Sequence, residues 1–169
     1  MSRIRTAARM LKPMAVAALM LVAAACGDSA SPTSSSPTRA RFNVSVAPNP
    51  VTAQRCAPQC LSESGGSFAF SAPFTISLQE SAGIGAKVNS ISLTGSTGFV
   101  TFDAVVVGSS EIIQEVGTNH VAPRGTLAVP LNIVYNTPGG TPNLSINISV
   151  QFTDDQNNQV TATGQVNVN

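Results

Sequence analysis

Few side chains in this sequence are suited to acid–base catalysis near neutral pH. His120 is the single histidine among 169 residues, and histidine is the side chain whose ordinary pKa lies closest to neutrality. A serine hydrolase would need His120 beside a serine and an acid, yet no Gly-x-Ser-x-Gly turn is present to expose a nucleophilic serine. Residues 118–123 have the composition of a loop, so we interpret His120 as a solvated loop residue.

Paired carboxylates would be the other route to catalysis, as in glycoside hydrolysis. The carboxylates that could in principle contribute are Glu63, Glu80, Asp103, Glu111 and Glu115. They are scattered over several predicted elements, and their spacing favours no pair. We therefore predict no catalytic residue and a protein that is not an enzyme.

A polar segment near the C-terminus could bind calcium. Asp154, Asp155, Asn157 and Asn158 offer hard oxygen ligands within five residues, and calcium binds oxygen ligands. The segment lacks the glycine and the distant bidentate glutamate of an EF-hand loop. Asp and Asn are also standard residues of hairpin turns, so an ordinary turn is the competing interpretation. Asp154, Asp155 and Asn157 are weak metal candidates, and no cofactor is predicted.

A glycine-rich segment superficially has the pattern of a phosphate-binding loop, because Gly83 and Gly85 precede Lys87. The spacing differs from that of a phosphate loop, and Val88 stands where a magnesium-binding Ser or Thr is required. No helical pattern follows. We predict a hairpin turn there.

Three cysteines are present, and two of them lie close together. Cys56 and Cys60 are separated by three residues. In an oxidising compartment they are predicted to form a structural disulfide, worth about 2 kcal/mol through the short loop that it closes. A redox or metal pair is the alternative, although redox motifs use two intervening residues and a metal site needs more ligands.

The first 25 residues have the layout of an export signal. Arg3, Arg5, Arg9 and Lys12 form a positive leader, and residues 14–25 contain no polar side chain. This apolar run of 12 residues is too short to span a membrane, because a spanning helix needs about 20.

Ala23, Ala24 and Ala25, directly before Cys26, resemble the lipobox of bacterial lipoproteins. The resemblance implies that Cys26 is lipidated, that it becomes the new N-terminus, and that a membrane is the partner. Ordinary cleavage after the same alanines is the alternative, and it would release a soluble secreted protein. Gly27 occupies the position where an aspartate would resemble an inner-membrane retention signal, which favours the outer membrane.

Residues 26–40 are predicted to be a disordered tether, because residues 29–38 contain only Ser, Ala, Pro and Thr and cannot bury enough apolar surface to fold. Without the signal, five Lys and Arg remain against eight Asp and Glu, a net charge of −3. This balance excludes the basic surface of a nucleic-acid-binding protein. Only 10% of the chain is charged, so solubility depends on Ser, Thr, Asn and Gln.

From residue 41 to 169 the apolar residues recur with a period of two, which indicates β-strands. Leu144 to Phe152 is the clearest alternation. Comparable runs cover residues 42–46, 68–78, 100–106, 127–135 and 160–168, with shorter runs at 91–93 and, as a candidate, at 112–116. No segment has a helical face, so about seven to nine antiparallel strands in a two-sheet sandwich are predicted. Pro73 and Pro130 should mark edge strands or switches between sheets.

The last two predicted strands, joined by the turn at residues 154–158, resemble the closing hairpin of bacterial immunoglobulin-like domains. The resemblance covers residues 42–169 and implies architecture alone, since such sandwiches host many functions. The chain has no Trp, and Cys56 and Cys60 are too close in sequence to bridge two sheets as in immunoglobulin domains proper.

Two classes of function follow from this sequence. The first is a non-enzymatic, lipid-anchored module of the cell envelope that acts in adhesion, scaffolding or recognition through loops or an exposed strand edge, with an envelope protein or a polysaccharide as the partner. The second is a binder of a small ligand or of calcium, with its site at the turn of residues 154–158 or in a cleft between the sheets.

Overall fold

Nine strands and one short α-helix make up the described part of the chain. The structure is a computed structural model that describes residues 38–61, 67–97, 100–101 and 104–169. The elements are β1 (Phe42–Ala47), β2 (Gln54–Leu61), β3 (Ser67–Glu80), β4 (Ala86–Ser96), β5 (Val105–Gly108), α1 (Ser109–Val116), β6 (His120–Val121), β7 (Thr126–Tyr135), β8 (Leu144–Asp154) and β9 (Gln159–Val168). The predicted signal and Cys26 lie outside the described residues.

The strands form two antiparallel sheets. In the first sheet β3 is central. Along one side it pairs with β2 over its first residues and with β1 over its last residues, and along the other side it pairs with β7. In the second sheet the order is β5-β4-β8-β9, and the two-residue β6 lies on the β5 side of β4. The predicted all-β, two-sheet antiparallel sandwich is confirmed.

The period of two in the sequence becomes one buried and one solvated face on each long strand. On β8, Leu144 and every second residue after it are buried, while the residues between them are partly or fully exposed. The inner faces of both sheets supply a core composed mainly of Val, Ile, Leu and Phe side chains. Burial of this apolar area is the main favourable contribution to folding.

Two aromatic rings join the sheets near the end of the sandwich where β1 begins. Phe42 of β1 and Phe152 of β8 stack with their ring centroids 3.8 Å apart and their planes 3° apart. Phe152 is completely buried. The contact therefore holds the first strand of one sheet against a central strand of the other.

The two prolines that were predicted to mark edges occupy different positions. Pro130 lies on β7, which among the described residues pairs only with β3, so its edge position is confirmed. Pro73 lies on the central strand β3, opposite Asn132, and the prediction is wrong for it. On the other side of Pro73, pairing with β1 stops at Thr75 and pairing with β2 starts at Ser71. A proline is tolerated on this central strand because one neighbour is missing there.

Residues 112–116 are helical, so the candidate strand at this position is wrong. The helix α1 begins after Gly108, whose backbone N–H donates to Glu111 Oε2 at 2.6 Å. It ends at Gly117, which has a left-handed φ of 80° that glycine adopts without strain. Ile112 is the side chain that α1 buries in the core. Its eight residues are too few for a helical period to stand out in the sequence.

The segment with Gly83 and Gly85 connects two sheets and is not a hairpin turn as predicted. It joins β3 of the first sheet to β4 of the second, so the strands on either side of it do not pair with each other. Gly83 has a φ of 86°, a conformation that favours glycine. The crossing lies at the same end of the sandwich as the first residues of β1, since Ser81 N–H donates to the Arg41 carbonyl at 2.9 Å.

Candidate functional site

The predicted metal candidate Asp154 is buried and already fully hydrogen-bonded. It is 2% exposed, and its oxygens accept hydrogen bonds from the backbone N–H groups of Ala40, Gln156 and Asn158 at 3.1, 3.0 and 2.8 Å. The side-chain amide of Asn158 donates to both oxygens as well. Asp154 therefore holds together the turn that follows it and the start of the folded domain.

The pKa of Asp154 reflects these contacts. Burial by itself raises the pKa, but the hydrogen bonds from the side chain and backbone of Asn158, from Ala40 and from Gln156 outweigh it and hold the pKa below its ordinary value. Hydrogen-bond donors thus stabilise the anionic form of Asp154 in the folded protein.

Glu80 at the end of β3 is a second buried carboxylate, one that sequence analysis considered only as a catalytic candidate. It is 1% exposed. Its oxygens accept hydrogen bonds from the backbone N–H groups of Arg41, Ala82, Gly83 and Arg124, at 3.3, 2.7, 2.7 and 2.9 Å. Burial raises its pKa, and these backbone donors together lower it below its ordinary value.

Together these carboxylates clamp what we call the N-terminal junction, residues 38–41. Consecutive amides of the junction, those of Ala40 and Arg41, donate to carboxylates of opposite sheets. The Asn158 side chain also donates to the Thr38 carbonyl at 3.1 Å. The chain thus becomes part of the fold at residues 38–41.

The remaining members of the calcium candidate serve the turn between β8 and β9. Asn157 has a left-handed φ of 65°, which asparagine tolerates well, and its N–H donates to the Asp154 carbonyl at 2.9 Å. This is a hydrogen-bonded turn of the kind that Asp and Asn form. Within residues 38–61, 67–97, 100–101 and 104–169, no group of three or more His, Cys, Asp or Glu could hold a metal ion.

His120 lies on β6 and not in a loop as predicted, and its side chain contacts an acid on the protein surface. Its Nε2 is 3.1 Å from Asp155 Oδ1, with both side chains more than a third exposed. Gly85 leaves room for this pair, because a Cβ on Gly85 would overlap the Asp155 carboxylate and approach the imidazole ring to 3.1 Å. An exposed ion pair of this kind contributes little to stability.

The two cysteines form the predicted disulfide. Cys56 and Cys60 are bonded, with their Cα atoms 5.3 Å apart. Both lie on β2, whose pairing with β3 changes register between Arg55 and Cys60. The disulfide therefore closes an irregularity in an outer strand, which is consistent with a structural role.

The other acidic candidates do not converge on a pocket with His120. Glu111 and Glu115 lie one helical turn apart on α1, beside a groove between α1 and β7. Glu111 also accepts the hydrogen bond from Gly108 at the start of the helix. Glu63 and Asp103 lie outside the described residues.

The solvated face of the second sheet, which we call the polar face, is lined almost entirely by uncharged polar side chains. It consists of the outward side chains of β4, β8 and β9. Paired outward residues of β8 and β9 are Ser145 and Asn167, Asn147 and Gln165, Ser149 and Thr163, Gln151 and Thr161, and Thr153 and Gln159. On β4 the outward row continues through Ser90, Ser92 and Thr94. Lys87 at one end is the only charged outward residue on these three strands.

The ends of the polar face are bonded internally and its middle is not. At one end, side-chain amides of Asn89 and Gln159 both donate to Thr153 Oγ1 at 2.9 Å. At the other end, Gln165 donates to Ser145 Oγ at 2.8 Å. The middle forms a shallow groove of about 550 Å³, whose outward lining residues include Ser92, Thr94, Asn147, Ser149 and Thr163. These five make no side-chain hydrogen bond to another described residue, so their polar groups face solvent.

Two of the sheet edges are protected against pairing with a further strand. The long edge strand β7 carries Pro130 in its middle, and proline is one means by which proteins prevent pairing with further strands. The free edge of β9 is partly covered at its C-terminal end by the segment around Val51. The Val51 N–H donates to the Asn167 carbonyl at 2.8 Å, and the Val51 carbonyl accepts from the Asn169 N–H at 3.0 Å. Addition of an external strand is therefore disfavoured along β7 and at the C-terminal end of β9.

Comparison with known proteins adds a fold and no function. No protein-family model and no curated protein matches the sequence. The chain is similar to the X-ray structure of Northeast Structural Genomics Consortium target SoR45, with a TM-score of 0.51 and 12% sequence identity over 76% of this chain and 85% of that chain. At this identity the likeness concerns the fold alone. No helix in the described part of the chain has the length and hydropathy needed to cross a membrane.

Two features of the site were not anticipated from the sequence. The first is the clamp on the N-terminal junction. In the sequence it is indicated only weakly, by a single acid, Glu80, at the end of an alternating run. The second is the groove on the polar face. Its residues were recognised strand by strand as outward and polar, but their grouping depends on which strands are neighbours.

Proposed function

We propose that this protein is a lipid-anchored, non-enzymatic module of the cell envelope, with an immunoglobulin-like sandwich that recognises an uncharged polysaccharide through the polar face. The observation that carries the proposal is the absence of charge across the middle of this face, together with its solvent-facing hydroxyl and amide groups. Tethering by Cys26 at the outer membrane is the second part of the proposal.

The order of the strands supports an immunoglobulin-like fold. In such domains the strands A, B and E lie together in one sheet, and strands C, F and G in the other, with an additional C′ strand next to C in some members. Here β1, β3 and β7 take the places of A, B and E, while β5, β4, β8 and β9 take the places of C′, C, F and G. The closing hairpin then corresponds to β8 and β9.

The chemistry of the groove supports a neutral, hydroxyl-rich partner. Ser and Thr hydroxyls and the amides of Asn and Gln each donate and accept hydrogen bonds, which matches the mixed donors and acceptors of sugar hydroxyls. A surface without charge gives no electrostatic attraction for an anionic polymer. The groove is open and shallow, so a polymer can lie along it without having an end inserted.

The proposal is tested by removing hydrogen-bonding groups from the middle of the polar face. In the exported Cys26→Ser protein, which lacks any acyl attachment, affinity electrophoresis in gels containing neutral glucan or mannan should show retardation. Asn147→Ala combined with Thr163→Ala should weaken binding by roughly 10- to 30-fold, since each neutral hydrogen bond contributes about 1 kcal/mol.

A matched control is available on the opposite sheet. Asn43→Ala combined with Ser45→Ala removes the same kinds of group from outward positions of β1, and this variant should bind as the parent protein does. Equal weakening by both pairs would contradict recognition by the polar face. So would binding to anionic alginate alone, abolished by moderate salt, because it would show that charge attracts the partner.

Attachment to the membrane is tested at Cys26 itself. Cys26→Ser should move the protein from the membrane fraction to the soluble periplasmic fraction, because a thiol is required to carry the lipid. Intact-mass measurement of the parent protein should show the mass of more than one acyl chain, since a single chain gives only marginal binding.

Gly27→Asp provides the control for sorting. It retains the thiol of Cys26, so the protein should remain lipidated and membrane-bound, but it should fractionate with the inner membrane. An unmodified Cys26 in the parent protein would refute the anchor, and the recognition experiment would still stand, because it uses protein without lipid.

A further inference from the structure

The end of the sandwich far from the N-terminal junction contains an apolar cavity between the two sheets. Its volume is about 410 Å³, which is within the range of roughly 300–1,000 Å³ typical of small-ligand sites. The first sheet contributes residues of β3 and β7, and the second contributes residues of β4, β5 and β8. Leu93, Leu144 and Ile146, all buried, form part of the lining.

The cavity exists because the described residues leave part of the inner faces uncovered at this end. Along β7 the inward residues Leu127 and Val129 are buried, whereas Ile133 and Tyr135 further along are only partly buried. In the second sheet Val105 pairs with Leu93 and shares its inward face, yet Val105 is 55% exposed. Apolar core positions are thus left open to a ligand.

The lining determines which ligand chemistry fits. None of the described residues lining the cavity is charged. The Tyr135 hydroxyl donates to the Pro142 carbonyl at 2.7 Å, so it is already engaged, and burial raises the pKa of Tyr135 to about 12. Apolar cavities of this kind stay dry or bind hydrocarbons, and an engineered one of about 150 Å³ accepts benzene. By that scale this cavity has room for a hydrocarbon of roughly 15 carbon atoms.

We infer that this cavity binds a hydrocarbon chain, supplied either by a free fatty acid or by the acyl chain of a membrane phospholipid. The inference is independent of the proposed polysaccharide recognition, because no described residue lines both the cavity and the groove on the polar face. It is also independent of lipidation at Cys26.

Two adjacent valines of β5 allow a sharp test. Val105 lines the cavity, whereas Val106 pairs with Ser92 on the outward face and is 59% exposed. Val105→Trp should fill the mouth of the cavity, and Val106→Trp adds the same ring outside it. Binding is measured in the Cys26→Ser protein by the fluorescence of cis-parinaric acid, and association with phosphatidylglycerol and phosphatidylethanolamine vesicles by flotation.

We expect saturable 1:1 binding of the fatty acid, weakened at least tenfold by Val105→Trp and unchanged by Val106→Trp, with both variants melting cooperatively. If the protein floats with the vesicles and Val105→Trp abolishes this flotation, the bound hydrocarbon chain belongs to a membrane phospholipid. If the protein binds the fatty acid but does not float with the vesicles, the hydrocarbon chain belongs to a free fatty acid. No saturable binding in either assay, or equal effects of the two tryptophans, would overturn the inference.

Discussion

Phe152→Ala should destabilise the protein more than any other single substitution considered for this chain. Phe152 is fully buried and stacks on Phe42 across the sheets. Truncation of a buried Phe removes its transfer free energy and leaves a cavity, which together cost about 3–5 kcal/mol. Loss of the stacked pair contributes to that cost. Since single domains have free energies of unfolding of about 5–15 kcal/mol, the variant should be close to unfolding at 37 °C.

Chemical denaturation in urea measures this effect directly. Gln151→Ala, one residue earlier on the same strand but on the outward face, should change the free energy of unfolding by less than about 0.5 kcal/mol. Phe152→Leu should fall between the two, because it conserves most of the apolar volume. A loss for Phe152→Ala no larger than that for Gln151→Ala would mean that the two sheets do not pack through this contact.

Asp154→Asn combined with Glu80→Gln should destabilise the protein at neutral pH and flatten its response to acid. Each substitution places an amide NH₂ where a carboxylate oxygen accepts backbone N–H groups, so buried donors lose their partners. The cost is about 2 kcal/mol for each site.

The pH dependence follows from the direction of the two pKa shifts. Both carboxylates have a lower pKa in the folded protein than their ordinary values of 4.5 for Glu80 and 3.8 for Asp154. Such groups stabilise the fold fully above the ordinary pKa, and the contribution is lost as the pH falls through the folded pKa. The melting temperature of the parent protein should therefore drop below about pH 4.5 and continue to drop below pH 3.8, whereas that of the double variant should change less.

Asp155→Asn is the control for this experiment, because Asp155 is the adjacent acid but is exposed and pairs only with His120 among the described residues. It should leave both the melting temperature at pH 7 and the acid slope close to those of the parent. If the double variant kept the full acid slope, other carboxylates would have to account for the acid sensitivity.

The strands were predictable wherever one face is buried and the other is wet. Along β8 the alternation from Leu144 to Phe152 is uninterrupted, and the structure follows it residue by residue. The polar residues at 154–158 predicted the turn into β9, and the spacing of Cys56 and Cys60 predicted their disulfide. In each case the physical cause lies within a few residues of sequence.

Features that depend on distant residues were not predictable in this way. The segment at Gly83 and Gly85 has turn composition, but composition does not determine whether the next strand returns to the same sheet. Helix α1 packs Ile112 and, in part, Val116 against the core. Two apolar positions one turn apart are too few to establish a helical period in the sequence. The acid in its first turn, Glu111, and Gly117 after its end are helix boundary signals that could have identified it.

The same distinction applies to the candidate site. That Asn147 points outward follows from the period of β8. In the sheet Asn147 lies between Thr94 and Gln165. This position follows only from the order of the strands, because that order determines the neighbours of Asn147 on both sides. Burial of Glu80 was likewise hidden, because its four donors come from three separate segments of the chain.

The clamp on the N-terminal junction has a mechanical consequence for a protein held at its N-terminus. A pull on the proposed tether would act first on β1, which among the described residues pairs only with β3 in its sheet and could be peeled from it one hydrogen bond at a time. The bonds from Ala40 to Asp154 and from Arg41 to Glu80 transfer the load to both sheets before it reaches β1. In the lipid-anchored protein that we propose, β1 could be peeled away only after both carboxylates had lost these hydrogen bonds, so the whole sandwich would bear tension from the membrane.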